Sequence, residues 1–222
     1  MYKVMVAAAH PDDETLGCGG TLLKHKANGD QLFWLIATEM KKEDGFKEQE
    51  IQSRENEIKL VSDLYGFNAV YKLNLPTTKI NRFTMDELIG KVSRVMNDVK
   101  PDILYLPFKN DAHSDHRILF DSAYSCTKVF RYPFLKKILM METISETEFA
   151  PSLQELAFVP NSFVDITDYI YKKMEIMKIF KTEIDELPFP RSSENIKALA
   201  TFRGAMAGCK YAESFVLLKE IR

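Results

Sequence analysis

Short apolar runs alternate with longer stretches of helical periodicity along most of the chain, the pattern of strands separated by helices in an α/β sheet. Residues 2–9 show no polar alternation after Lys3, which predicts a strand covered on both faces, as in a parallel sheet. Leu16, Leu22 and Leu23 give residues 15–27 an apolar stripe, and Asn28-Gly29 stops the helix. The unit then repeats. Strands are predicted at 31–38, 69–73, 103–106 and 137–142, and helices at 48–65, 85–99 and 117–130. Gly66 closes the second helix and Pro101-Asp102 breaks the third.

Past Pro151 the alternation loosens. Phe163 to Ile166 with Thr167-Asp168 leads into a helix reaching about residue 180, residues 186–193 form a proline-containing loop, and a helix at 194–207 precedes a strand at 214–218. No repeat, low-complexity tract or linker divides the chain. The expected fold is a single Rossmann-like α/β domain over residues 1–222, its sheet mostly parallel with helices on both faces.

Composition narrows the function classes. A globular chain of 222 residues buries roughly 70% of its unfolded surface, so it needs neither disulfides nor a structural metal to fold, and a metal-ligand pattern is read first as functional. With 30 Lys+Arg against 32 Asp+Glu, no basic excess argues for nucleic acid. Cys18, Cys126 and Cys209 are widely spaced and form no CxxC pair, which suits reduced thiols. No segment has the ~18–20 consecutive apolar residues of a membrane span. The charged run after residue 9 suits no secretory signal, so a cytoplasmic protein is expected.

Two charged clusters follow predicted strands: His10-Pro11-Asp12-Asp13-Glu14 after the first, and Asp111-Ala112-His113-Ser114-Asp115-His116 after the fourth. Ligands of open α/β sheets bind outside the carboxyl ends of the strands. Either cluster alone reads as a capped turn or a solvated helix face. Together they hold three of the four histidines, and two histidines with a carboxylate are the three protein ligands of a catalytic zinc site that leaves a fourth position for water. The assignment is His10, Asp13 and His116. Asp12 is then free to act as base on water whose pKa the ion lowers toward ~7. His113 can protonate a leaving group or face an oxyanion, with Asp115 or Asp111 fixing its tautomer. Mixed nitrogen and oxygen ligation also admits ferrous iron or cobalt. His25, flanked by Lys24 and Lys26, reads as an exposed helix residue.

These residues resemble the zinc-dependent de-N-acetylases related to N-acetylglucosaminyl-phosphatidylinositol deacetylase, the LmbE-like proteins. Thr15-Leu16-Gly17-Cys18-Gly19-Gly20 is similar to the family's continuation of the first motif. Arg54-x-x-Glu57 resembles its second-helix R-x-x-E, and Lys100-Pro101-Asp102 and Lys210 to Phe215 match its flanking and tail motifs. The resemblance implies the same roles for His10, Asp12, Asp13, His113 and His116, makes Arg54 a candidate substrate contact, and implies removal of an N-acetyl group from an N-acetylglucosamine-type sugar or conjugate. The chain departs from the family at Ser114, usually Pro, at Thr77, where many members have Asp, and at 38–42, which lack a Gly-Glu pattern. The expected partner is a small amino-sugar substrate, and a homo-oligomer stays open.

Three other readings compete. Gly17, Gly19 and Gly20 with Glu39 superficially fit a dinucleotide fingerprint, but the third glycine of that fingerprint would fall at Leu22; the glycines read instead as positions where the first helix packs closely. A silent interaction protein would have lost a ligand or the base, and none is missing. An amidase removing a larger acyl or cysteinyl group keeps the same metal chemistry. Arg82, Arg131, Arg191 and Arg203 are candidates to meet an anionic aglycone, each equally readable as a surface or ion-paired arginine.

Overall fold

A computed structural model describes residues 1–222. Seven strands form one sheet in the order β3-β2-β1-β4-β5-β7-β6. These are β1 (Lys3–Ala8), β2 (Gln31–Glu39), β3 (Ala69–Pro76), β4 (Ile103–Leu106), β5 (Lys137–Met141), β6 (Ser162–Asp165) and β7 (Ala212–Glu220). The first five run parallel, while β7 pairs antiparallel with β5 and β6. The helices are α1 (Asp13–Ala27), α2 (Glu48–Tyr65), α3 (Met85–Val99), α4 (Ser114–Ser125), α5 (Ile170–Met177) and α6 (Ser193–Ala207).

The unbroken apolar run of β1 is explained by two cores. Met5, Ala7 and Ala9 face one, with Leu88 and Val92 of α3 and Leu119 and Phe120 of α4. Val4, Val6 and Ala8 face the other, with Leu22 of α1, Val61 of α2, Ile176 of α5 and Ile196 of α6. A β-carbon at Gly17 would come within 2.6 Å of the Met141 sulfur, and one at Gly20 within 2.7 Å of Ile166. The glycines thus serve close helix packing, as the sequence suggests.

Boundaries differ from expectation where side chains set them. The fourth helix begins at Ser114, three residues early, because the His113 side chain accepts the Asp115 N–H and caps it. His25 is not exposed: its Nδ1 lies 2.7 Å from Asp30 Oδ2 and its Nε2 3.1 Å from the Tyr105 hydroxyl. Burial pushes its pKa below the ordinary 6.5, with Lys24 and Lys137 adding to the effect and Asp30 opposing it. A depressed histidine contributes stability above its unfolded pKa and loses it as pH falls through the window beneath 6.5. His25→Gln should therefore reduce the drop in melting temperature between pH 7.5 and pH 5; an unchanged drop would remove His25 as its source. No helix is long and apolar enough to cross a membrane.

The strand order reverses between β1 and β4, which lie side by side although other strands separate them in sequence. At such a switch point a crevice opens outside the strand carboxyl ends. Both charged motifs leave the sheet there.

Candidate active site

β1 ends at Ala8 and α1 begins at Asp13, so the first motif must turn within four residues. Asp12 takes the strain, at φ 138° and ψ −29°, a region that costs a non-glycine residue about 1–3 kcal/mol. Its carbonyl accepts from the Thr15 and Leu16 N–H groups at 2.9 Å, but its side chain makes no capping hydrogen bond. Asp13 is turned back, its Oδ2 accepting the His10 N–H at 2.8 Å. Asp12 is thereby left as an unspent carboxylate, and it is buried.

The two motifs meet on Asp13. Asp111 Oδ2 lies 2.9 Å from His116 Nδ1, while Asp111 Oδ1 accepts from the Thr147 hydroxyl at 2.7 Å. His116 Nε2 is left 3.2 Å from Asp13 Oδ2, buried and without a hydrogen bond. His10 is held in the mirrored sense: its Nε2 lies 3.3 Å from Asp115 Oδ2 and its Nδ1 3.9 Å from Asp13 Oδ2. Each imidazole is gripped by a carboxylate through one nitrogen and presents the other to Asp13, the arrangement that fixes tautomers around a metal. One ligand atom from each of His10, Asp13 and His116 falls within 4.8 Å of the others. An unpartnered buried nitrogen costs ~1–3 kcal/mol, a cost that a divalent cation at this point removes, so the residues present fit the zinc-type ion inferred from sequence.

The charges around the cluster agree with that reading. Burial would lower the His116 pKa, but Asp13 and Asp111 outweigh it and hold the imidazole well above its usual range. For Asp13, burial is likewise overcome by His116 and His10, and its carboxyl stays well below the ordinary range. The carboxylates around His116 thus favour positive charge at this point, as they would favour a bound cation.

His113 departs from expectation. Neither Asp115 nor Asp111 fixes it through a carboxylate: Asp115 Oδ2 is 4.0 Å from His113 Nδ1, and Asp111 is engaged by His116. The backbone N–H of Asp115 donates to His113 Nδ1 instead, at 3.1 Å, which places the proton of the neutral ring on Nε2. Burial, then His10 and His116, push the His113 pKa down to about 4. The ring is a neutral donor at pH 7. The Asp115 carboxylate serves His10 and accepts the Thr78 N–H at 2.7 Å.

Arg54 is buried and engaged by the protein. It donates through Nη1 to the Pro11 carbonyl at 2.8 Å, pairs through Nη2 with Glu183, and brings Nε within 3.2 Å of Glu57. It therefore pins the strained turn that carries Asp12. Removing one partner of a buried ion pair costs about 3–5 kcal/mol, and the partly exposed Glu183 places Arg54→Ala near the lower end. About 3 kcal/mol corresponds to roughly 6–12 °C for a chain of this length. A melt within 2 °C of wild type would show that the clamp carries no stability.

Sequence reading left Glu183 and Glu146 unassigned and gave Arg191 no specific place. Arg191 Nη2 lies 2.9 Å from Glu183 and its Nη1 3.7 Å from Asp12 Oδ2; Glu146 accepts the His113 N–H at 2.9 Å. Burial, Asp13 and Glu183 raise the Asp12 pKa well above the ordinary range, against Arg191 and Arg54. All these groups line one cavity of about 380 Å³, which also takes in Thr38, Phe46 and Lys72. Arg82, Arg131 and Arg203 do not line it.

Residues 5–127 match the family described as PIG-L, GlcNAc-PI de-N-acetylase. A diacetylchitobiose deacetylase of Thermococcus kodakarensis is 25% identical over 224 residues, covering 95% of this chain and 81% of that protein. The fold is shared with the N,N'-diacetylchitobiose deacetylase of Pyrococcus horikoshii, solved with an inhibitor, at a TM-score of 0.77 and 20% identity over 98% of this chain and 84% of that one. A conserved protein of Thermus thermophilus gives a TM-score of 0.77 at 24% identity, covering 100% and 97% of the two chains.

Proposed function

The chain belongs to the GlcNAc-PI de-N-acetylase family, and from that premise we propose that it is a metal-dependent hydrolase that removes the N-acetyl group from an N-acetylglucosamine-type sugar or sugar conjugate. The observation that carries the reading is the convergence of His10 and His116 on Asp13, each imidazole oriented by its own carboxylate, with the uncapped Asp12 beside them. His10, Asp13 and His116 would hold the ion; zinc suits this donor set, and ferrous iron and cobalt share it. Such an ion supplies Lewis-acid activation of water and of the acetamide carbonyl.

The remaining steps belong to side chains. Asp12 accepts the proton of the attacking water. Burial raises its proton affinity above that of an ordinary carboxylate, so a proton taken from the water can be held there and returned to the departing amine. His113 turns its Nε2–H toward the carbonyl oxygen and stabilises the charge that develops there. The Arg54 contacts to Pro11, Glu57 and Glu183 hold the base in register.

A chromatographic screen for acetate released from N-acetylglucosamine conjugates by the metal-loaded protein tests this. Release that depends on the added ion supports the reading. Stoichiometric metal with no acetate from any conjugate would overturn it and turn attention to larger acyl groups.

A further inference from the structure

β5 lies beside β4 and parallel to it, so the chain leaving β5 emerges at the end of the sheet where the second motif sits. Residues 142–148 carry no metal ligand and no group of the proposed reaction. They turn back tightly: the Glu146 and Thr147 N–H groups donate to the Thr143 carbonyl at 3.2 and 2.9 Å, and Ser145 between them takes a left-handed φ of 72°. We propose that this turn is a positioning element of the active site with two separate tasks, Thr147 setting the hold of His116 on the metal and Glu146 setting the aim of His113 at the substrate. The Glu146 half rests on the deacetylase reading; the Thr147 half needs only the metal site.

Thr147 is one link in a buried chain. Its Oγ1 accepts the Thr143 N–H at 2.9 Å, and because a hydroxyl has a single proton to give, that proton goes to Asp111 Oδ1, 2.7 Å away. The other oxygen of Asp111 lies 2.9 Å from His116 Nδ1. All four residues are buried, so bulk water does not replace a missing link. With both of its oxygens engaged the Asp111 carboxylate cannot turn, and the His116 ring is held with it. A histidine ligand loses metal affinity when the group behind its second nitrogen is loosened.

Glu146 acts on the other histidine. Its carbonyl accepts the Ala112 N–H at 3.1 Å and its Oε2 accepts the His113 N–H at 2.9 Å. His113 is the cap of α4, and in a capping box the N–H of the cap residue is taken by a Glu or Gln at the third position of the helix. Here the third position is His116, which is committed to the metal cluster. Glu146 supplies the missing carboxylate from the turn after β5, and it thereby fixes the backbone from which the His113 ring reaches the cavity.

Zinc affinity by chelator competition, with acetate release measured at rising zinc, separates the two tasks. Thr147→Val removes the hydroxyl at nearly constant shape and should weaken the ion by about tenfold, the lower end of the effect of a ligand's supporting group. Thr147→Ser should recover that affinity, and the rate deficit of the valine variant should shrink as zinc is raised. If Thr147→Val does not fold, Thr147→Ala, which leaves room for a water between the two partners, should show the same loss in smaller degree. Glu146→Ala should keep its zinc affinity and its KM but lower kcat at saturating zinc by about tenfold, less than the ~10²–10³ of a lost oxyanion donor. Glu146→Gln, whose amide oxygen accepts the same N–H, should restore most of that rate. A nitrogen NMR spectrum, which needs no turnover, should show the His113 ring resonances moved in Glu146→Ala and in place in Thr147→Ser. Unaltered zinc affinity in Thr147→Val, or a Glu146→Ala deficit that added zinc abolishes, would overturn the inference. So would two variants that lose affinity and saturated rate alike, the mark of a turn that only holds the chain together. Absence of acetate from the unaltered protein speaks against the deacetylase reading, and the zinc affinities and the spectrum then decide the inference.

Discussion

His116→Ala should bind no stoichiometric metal, whereas the unaltered protein should carry close to one ion per chain. His116 Nε2 is the buried, unpartnered nitrogen of the cluster, and its loss leaves only His10 and Asp13, too few donors for a closed first shell. Deacetylation should fall to background. A second measurement separates lost metal from lost fold: an ion at a hundredfold its dissociation constant stabilises by about 2.7 kcal/mol, or roughly 5–11 °C here, and the variant should show no such shift. Asp111→Ala keeps all three ligands but frees the His116 ring, and should weaken the ion by ~10–100-fold. Full occupancy in His116→Ala would move the site to the neighbouring cluster of His10, His113 and Asp115, whose donor atoms also lie within 4.8 Å of one another. His113→Ala would then be the variant that loses the metal.

The fold was largely legible because short apolar runs mark β1 to β5 and helical spacing marks α1 to α4, the clearest case being β1, whose burial on both faces leaves an unbroken apolar run at residues 4–9. The site was legible in part for a related reason: its charged residues sit directly after apolar strands, where nothing in the core calls for them. Two features were not local enough to read. The switch point between β1 and β4 is a property of strand order, and it alone explains why motifs about a hundred residues apart meet. The partners of the histidines depended on rotation of the α4 start. Once His113 caps that helix, Asp115 is turned toward His10 and Asp111 toward His116, whereas spacing alone pairs both acids with His113. Arg191 lies in the 186–193 loop and Glu183 just before it, where the sequence has no periodicity, and they reach Asp12 and Arg54, respectively, only through the tertiary fold.

Asp12→Asn and His113→Ala should both keep the ion and both slow the reaction, yet differ in their pH profiles. Asp12→Asn removes the one carboxylate of the first motif that accepts no hydrogen bond, since Asp13 accepts the His10 N–H and Glu14 the Asp12 N–H and Thr15 hydroxyl, and kcat should drop by ~10³–10⁴, the upper part of the range for a group that serves as both base and acid. It should also erase the acidic limb of kcat/KM, because no group remains that must lose a proton before accepting one. His113→Ala removes a hydrogen-bond donor aimed at developing charge, worth ~10²–10³ in kcat. A protonated His113 acting as the acid would define the basic limb, and its loss would abolish that limb. The Asp115 N–H on Nδ1 argues for the neutral ring instead, so His113→Ala should lower the whole profile and leave both limbs in place. His113→Gln, which can present an amide N–H to the same oxygen, should recover part of the lost rate. A His113→Ala profile without its basic limb, and no recovery with glutamine, would return the acid role to His113 and leave Asp12 as base alone.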